Sequence, residues 1–344
     1  MRIVEVTKPY SGHGTSVEPG NRYLVEDTTL ANLLNQGIVG RIDRWEPENG
    51  EGNSVLIHRA GGFGDLMAVT PLIRTLMAAG HGVSVCCMKK YADAVRCKGV
   101  GWEPYPIRVS DAATYGQHIL LEGVIEFAED PSVHIVDLIA QAAGVELTEG
   151  KHCSYHIMDE SRVWAAENWP RRPQYKIRVG VQPTASVPTR TYPHDLMIKT
   201  LQLCITQGWE VAMFGNPGSI KKPENSHPAV LYVTESKDVT FDQSAAVLDS
   251  CDVVVAPDSA ICHLAGALNK PTVALYGPFP WQARTKYHPS IRALTGILSC
   301  APCYWHGRSS MFPKDGPCSR TNKCEALAQI SPERIVREVV KLLP

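Results

Sequence analysis

The sequence predicts an α/β protein made of two doubly wound units facing a central cleft, preceded by a small N-terminal extension. Three observations carry this. Residues 54–77 read as strand, glycine turn and helix; the same alternation restarts near Lys176; and Pro- and Gly-rich breaks at 46–53 and 170–173 separate the blocks. The expected division is an extension over 1–53, a first unit over 54–172, a second over 173–330 and a C-terminal helix over 331–344.

The first unit opens with Val55-Leu56-Ile57, an apolar run short and β-branched enough for a buried strand. Gly61-Gly62-Phe63-Gly64-Asp65 follows, rich in residues that tolerate positive φ. Leu66, Val69, Ile73 and Leu76 then recur at helical spacing, and Pro71 is expected to bend that helix by removing a donor. Residues 83–88 and 102–107 read as strands, and 133–143 as a helix stopped by Gly144. A further helix is expected over 161–169.

In the second unit, strands are expected at 176–181, 210–215, 230–233, 252–256 and 272–276. Helices are expected at 193–207, closed by Gly208, at 241–250 and at 259–268, and the final one runs from Pro332 to Leu343. The extension stands outside this pattern: 22–27 suggests a short strand and 28–34 a capped helix ended by Gly37. It is small for an independent core, and its residues point to no role.

Composition bounds the function. A chain of 344 residues can build two full cores, and 44% hydrophobic with 20% charged residues is ordinary for a globular protein. A net charge of -1 gives no electrostatic case for nucleic acid or an anionic membrane as partner. No run approaches the roughly 18 apolar residues of a spanning helix, so stable membrane insertion is not expected. Residues 1–5 lack the charged-then-apolar build of a signal peptide, and a cytoplasmic protein is the expectation.

Ligands of doubly wound sheets sit at the carboxyl ends of the strands. Asp65 falls at such an end, where a carboxylate serves equally as a helix cap or as a general base. Asp258, Ser259, Ala260 and His263 fall where a strand gives way to a helix. The free N–H groups there suit a phosphate, although capping by Asp258 or Ser259 and plain packing of His263 fit as well. Thr184, Ala185, Ser186 and Arg190 lie in the loop after the first strand of the second unit, and a guanidinium there suits a diphosphate.

In order, GGFGDLMAVTPLIRTL, VGVQPTAS with Arg190-Thr191-Tyr192-Pro193 downstream, and APDSAICHLAGALNKPTVALYGP resemble glycosyltransferase family 9, the ADP-heptose:lipopolysaccharide heptosyltransferases. The resemblance covers about residues 54–344 and implies the two-Rossmann GT-B architecture. It implies that Asp65 is the catalytic base and that Thr184, Ala185 and Arg190 lie near the donor phosphates. Asp258, Ser259, Ala260 and His263 would form the donor-diphosphate motif. Ala260 stands where the family usually has glycine, and Arg190 where it has lysine. Backbone donation survives the first change and charge the second. The chemistry implied is inverting transfer from a nucleotide-sugar donor, ADP-heptose favoured, to a glycan or protein acceptor. No Asp-x-Asp triplet occurs, so no cofactor for catalysis is expected.

Of eleven cysteines, seven are scattered in mostly apolar surroundings and read as thiols. Cys300, Cys303, Cys318 and Cys324 are clustered, and a C-x-x-C followed by two more favours a structural zinc or iron over two disulfides or free thiols. Four-cysteine sites recur in some similar proteins, among them heptosyltransferases that modify proteins. The alternatives are a nucleotide-sugar-binding protein or epimerase of the same fold, or a transferase acting on a modified nucleic-acid base. An NAD-dependent oxidoreductase is disfavoured: GGFG is not G-x-G-x-x-G, and no acidic residue closes the strand at Met88.

Overall fold

A computed structural model describes residues 1–12, 15–44, 52–128, 130, 132–216, 218, 220–303 and 323–343. Two compact units emerge: residues 1–125 with 135–151, and residues 126–134 with 152–344.

The first unit holds two sheets. Strands β1 (Arg2–Val6), β4 (Arg22–Val25), β5 (Val39–Arg44) and β9 (Ile107–Arg108) form an antiparallel sheet in the order β5-β1-β4-β9. Beside it run the hairpin β2 (Tyr10–Gly12) and β3 (Thr15–Val17), and helix α1 (Asp27–Asn35). Val4, Val6, Val17, Tyr23, Val25, Leu33 and Ile38 make its apolar core. The extension is thus a small sheet and not merely one strand and a helix. Its β1 and β5 carry polar residues on an open face, so their apolar signal is weak until they pair.

The parallel sheet has the order β10-β6-β7-β8, from β6 (Ser54–His58), β7 (Gly82–Cys87), β8 (Gly101–Pro104) and β10 (Gln117–Leu120). Val55, Leu56 and Ile57 are fully buried, as their continuous apolar run requires. The expected bent helix is instead two helices, α2 (Phe63–Met67) and α3 (Thr70–Ala78). Pro71 lies in the first turn of α3, where its missing N–H leaves no bond unmade. Short α4 (Val109–Ala112) and α5 (Ile135–Ala143) complete the unit.

The second unit is built on a parallel sheet of the order β13-β12-β11-β14-β15-β16. Its strands are β11 (Arg178–Val181), β12 (Glu210–Met213), β13 (Val230–Tyr232), β14 (Val253–Pro257), β15 (Thr272–Tyr276) and β16 (Ile291–Thr295). Numbered within the unit this is the doubly wound order 3-2-1-4-5-6, which reverses direction between β11 and β14. Helices α6 (Asp159–Asn168), α7 (His194–Thr206), α8 (Phe241–Asp249) and α9 (Ala260–Ala267) belong to it. So do α10 (Gln282–Thr285), α11 (Glu325–Ala328) and α12 (Pro332–Leu342). In α12, Ser331 caps Arg334 N at 3.2 Å, and Ile335, Val336 and Val339 are buried.

At the amino ends of β11 and β12 the sheet is clamped by charge. Arg178 is fully buried; its Nε donates to Glu210, and its Nη atoms donate to Trp169 O (3.0 Å), Ser250 Oγ (2.8 Å) and Pro170 O (2.8 Å). Arg171 makes a two-pronged bond to Asp252, 2.8 Å on each arm, and so holds the Pro-rich segment against the sheet.

Removing one member of a buried pair leaves the other uncompensated. Glu210→Ala is expected to lower the unfolding free energy of this unit by about 3–5 kcal/mol in urea melts. The double change Arg178→Met with Glu210→Leu should cost clearly less, because only the partly exposed Arg172, whose Nε also donates to Glu210, then loses a partner.

Candidate functional site

In the second unit the site forms where the strand order reverses. The loop after β11 is pinned beside β14 by Gln182 N donating to Val255 O at 3.0 Å. Ser259 Oγ donates to Gln182 Oε1, joining that loop to the beginning of α9. A short 3-10 turn, Pro188–Arg190, then brings Arg190 back across the strand ends. Its Nη1 lies 3.3 Å from Asp258 Oδ2, and its Nη2 donates to Ser186 Oγ.

Asp258 is 3% exposed, and its Oδ1 stands 3.7 Å from His263 Nε2. Burial alone would push this carboxyl up. Arg284, His263 and Arg190 outweigh burial and hold it well below the usual carboxylate range. Arg284 comes from α10 and stacks on the Phe279 ring at 4.5 Å, with Arg190 at 5.7 Å from the same ring. Two guanidiniums and an imidazole therefore surround one carboxylate, leaving an excess of positive charge. Three buried atoms of this group, Arg190 Nε, Arg284 Nε and Asp258 Oδ1, have no hydrogen-bond partner among the described residues. Beside them α9 presents first-turn N–H groups that have no acceptor one turn back. Such a group is suited to a di-anionic ligand.

The site residues read from the sequence are brought together unevenly. Arg190, Ser186, Asp258, Ser259 and His263 converge, with Ala260 as the first residue of α9. Ala185 N donates to Thr191 Oγ1 at 3.0 Å, so that N–H serves the loop itself, and Thr184 is exposed on the same loop. Gln182, Thr191, Phe279 and Arg284 were not singled out by the sequence. The signal available for Arg284 and Phe279 was their position just after β15, at the ligand-bearing end of the sheet.

In the first unit, Asp65 sits in the first turn of α2 and is about one-third exposed. Gly62 N donates to its Oδ2 at 3.2 Å, so the capping role is realised. The same oxygen lies 3.5 Å from Arg59 Nη2. Arg59 is 1% exposed; its Nη1 donates to Leu121 O at 3.1 Å and lies 3.8 Å from Glu122 Oε2. The glycine run works through space and not through φ. Gly61, Gly62 and Gly64 are not among the positive-φ residues, but a Cβ at Gly61 would lie 2.7 Å from Arg59 Nε.

The cysteine cluster borders the end of β15. Cys303 N donates to Pro278 O at 2.9 Å, and a Cβ on Gly277 would lie 2.7 Å from Cys324 Sγ. Cys318 lies outside the described residues. Among the described residues no group of three or more His, Cys, Asp or Glu is arranged to hold a metal ion. Also among them, no helix is long and apolar enough to cross a membrane.

Comparison with known proteins bears on this geometry. The lipooligosaccharide heptosyltransferase 2 of Haemophilus influenzae is 31% identical over 97 residues, 26% of this chain. The match spans only 28% of that relative's length. The solved ADP-heptose lps heptosyltransferase II of E. coli is 16% identical, with a TM-score of 0.61 over 84% of this chain and 98% of that one. The dodecameric iron-containing heptosyltransferase TibC, from enterotoxigenic E. coli and solved with ADP-D-β-D-heptose, is 12% identical. Its TM-score is 0.63 over 88% of this chain and 81% of that one. At these identities the structures speak for the fold, which is of the GT-B class. The profile described as glycosyltransferase family 9 (heptosyltransferase) matches residues 129–310. Because that match takes in more than half of the chain, including the loops that gather Arg190, Asp258 and His263, the protein belongs to glycosyltransferase family 9.

Proposed function

We propose that the protein is an inverting glycosyltransferase. It moves a heptose from ADP-heptose to a hydroxyl of a lipopolysaccharide or protein acceptor, without a catalytic metal. The observation that carries this reading is the excess positive charge at the point where the second sheet reverses its order, with orphaned buried donors beside the start of α9. Its supports are membership of the family and the names of its relatives, which act on lipooligosaccharide or, in TibC, bind ADP-heptose.

In the reaction Asp65 takes the proton of the acceptor hydroxyl as that oxygen bonds to C1 of the sugar. The bond from C1 to the diphosphate breaks on the opposite face, and the configuration at C1 inverts. Arg190, His263 and the first N–H groups of α9 meet the charge that develops on the departing ADP. Thr184, Ala185 and Ser186 border the donor phosphates. The first unit serves the acceptor and the second the donor, and the protein works in the cytoplasm.

Cys300, Cys303, Cys318 and Cys324 hold a structural zinc or iron ion. In support, Gly277 leaves room for the buried Cys324 sulfur, the backbone of Cys303 is tied to the next residue of the same segment, and four thiolates suit either metal. TibC, of the same fold, is described as iron-containing. Four protein ligands leave no open position, so the ion is structural and not catalytic.

Three outcomes follow. Asp65→Asn should lose roughly 10²- to 10⁴-fold in kcat while calorimetry still finds ADP-heptose bound; turnover within a few-fold of the parent removes the base. Arg190→Ala should weaken ADP binding by about 10- to 100-fold, and Arg190→Lys by less, because charge is kept and only the fork is lost. Elemental analysis of the purified protein should find about one zinc or iron per chain, sharply reduced in Cys324→Ser with a lowered melting temperature. Absence of metal from protein purified without chelator would refute the assignment.

A further inference from the structure

A guanidinium taken out of water needs counter-charge. Arg59 meets Asp65 at 3.5 Å and Glu122 at 3.8 Å. Glu122 follows β10 and is 12% exposed, and its Oε1 accepts from Ala60 N, the residue after Arg59. Leu121 O accepts from Arg59 Nη1 at 3.1 Å. The ends of β6 and β10 therefore fix this carboxylate against the guanidinium from both sides.

The inference rests on the reading of Asp65 as general base. When Asp65 takes the acceptor's proton, it stops being a counter-ion of Arg59 at the moment of reaction. We infer that Glu122 is a positioning residue acting through Arg59: its carboxylate keeps the buried guanidinium compensated and in place while Asp65 carries the proton. The balance is simple, since one proton passes from the acceptor oxygen to Asp65 and Glu122 only remains charged. Without it, each turnover would leave a buried cation short of charge, a loss felt in the transition state and little in substrate binding.

The groups facing Glu122 are Arg59 from the loop after β6, Glu26 at the start of α1, Tyr105 before β9 and Cys86 on β7. Burial pushes Glu122 up, Arg59 draws it back, and Glu26, hydrogen-bonded to it, adds to the rise, leaving it at about 7. Burial also pushes Tyr105 and Cys86 well above their ordinary values, so neither is charged near neutrality. Glu122 thus gains its charge as pH rises through about 7, and the compensation is present above that point.

The test compares kcat and KM for ADP-heptose and acceptor across pH in the parent, Glu122→Gln, Glu122→Asp and Asp65→Asn. Glutamine keeps an oxygen for Ala60 N–H, so Glu122→Gln removes charge alone. The parent kcat should rise through a limb near pH 7. Glu122→Gln should lose that limb and stay about tenfold below the parent plateau with KM unchanged, and Glu122→Asp should restore much of the plateau. A Glu122→Gln enzyme that keeps the limb and comes within twofold of the plateau overturns the inference. Full turnover in Asp65→Asn would instead overturn the base on which it rests. If Glu122→Gln is unfolded by circular dichroism, Glu122→Asp decides alone: a limb that moves with the altered carboxylate in a folded enzyme supports the role of the charge, and an unmoved limb with unchanged rate refutes it.

Discussion

The chemistry proposed for this protein depends on holding charge out of water at the carboxyl ends of its strands. Asp258 shows how. An isolated carboxylate buried to this degree would protonate. It stays charged because Arg284, His263 and Arg190 converge on it, with Arg190 at 3.3 Å and His263 at 3.7 Å. A carboxylate in the proposed anion site looks counterproductive until the charges are added. One negative group against two guanidiniums and an imidazole leaves the site positive, and its positive groups cannot drift to solvent. Rigid, partly compensated cations stabilise a departing diphosphate better than mobile ones, because little reorganisation is left to do at the moment of reaction.

The opposite end of the same sheet carries equally buried charge to a different end. Every nitrogen of the Arg178 guanidinium meets a carboxylate, hydroxyl or carbonyl oxygen. Arg190 and Arg284 each keep a buried Nε that meets none among the described residues. Satisfied buried polar atoms hold a fold together; clustered orphans at a strand's carboxyl end are places where a ligand completes the bonding.

How much of this the chain discloses as a string follows from which interactions are local. Parallel strands such as Val253–Pro257 read plainly, because burial on both faces demands a continuous apolar run. The motifs in their order mark Asp65, Arg190 and Asp258 as candidates, and the structure brings Arg190 and Asp258 together. Arg284 and Glu122 lie outside those motifs, and each meets partners distant in the chain. The N-terminal sheet was hidden for a related reason, since its pairing of β4 with β9 joins segments on either side of β6, β7 and β8. Gly61 and Pro71 were visible but misjudged in mechanism. One makes room for a guanidinium, and the other begins a second helix where a bend was expected.

That N-terminal sheet also changes how the first unit should be understood. Tyr23 and Leu24 of β4 pair with Arg108 and Ile107 of β9, and Tyr105 OH accepts from Glu26 N at 2.8 Å while reaching Thr29 Oγ1 at 3.3 Å. Leu24 is buried in one cluster with Leu56, Cys86, Tyr105 and Ile107, so the sheet shares a core with β6 and β7. An appended element could be lost with little effect on what lies beneath it; this one could not, because removing it would expose Leu56 beside the strand that ends at His58, just before Arg59. Glu26 then places a carboxyl against Glu122, two contacts from Asp65. The segment with no family motif is therefore part of the wall that keeps the Arg59 network dry, and the strength of every charge in that network depends on its staying so.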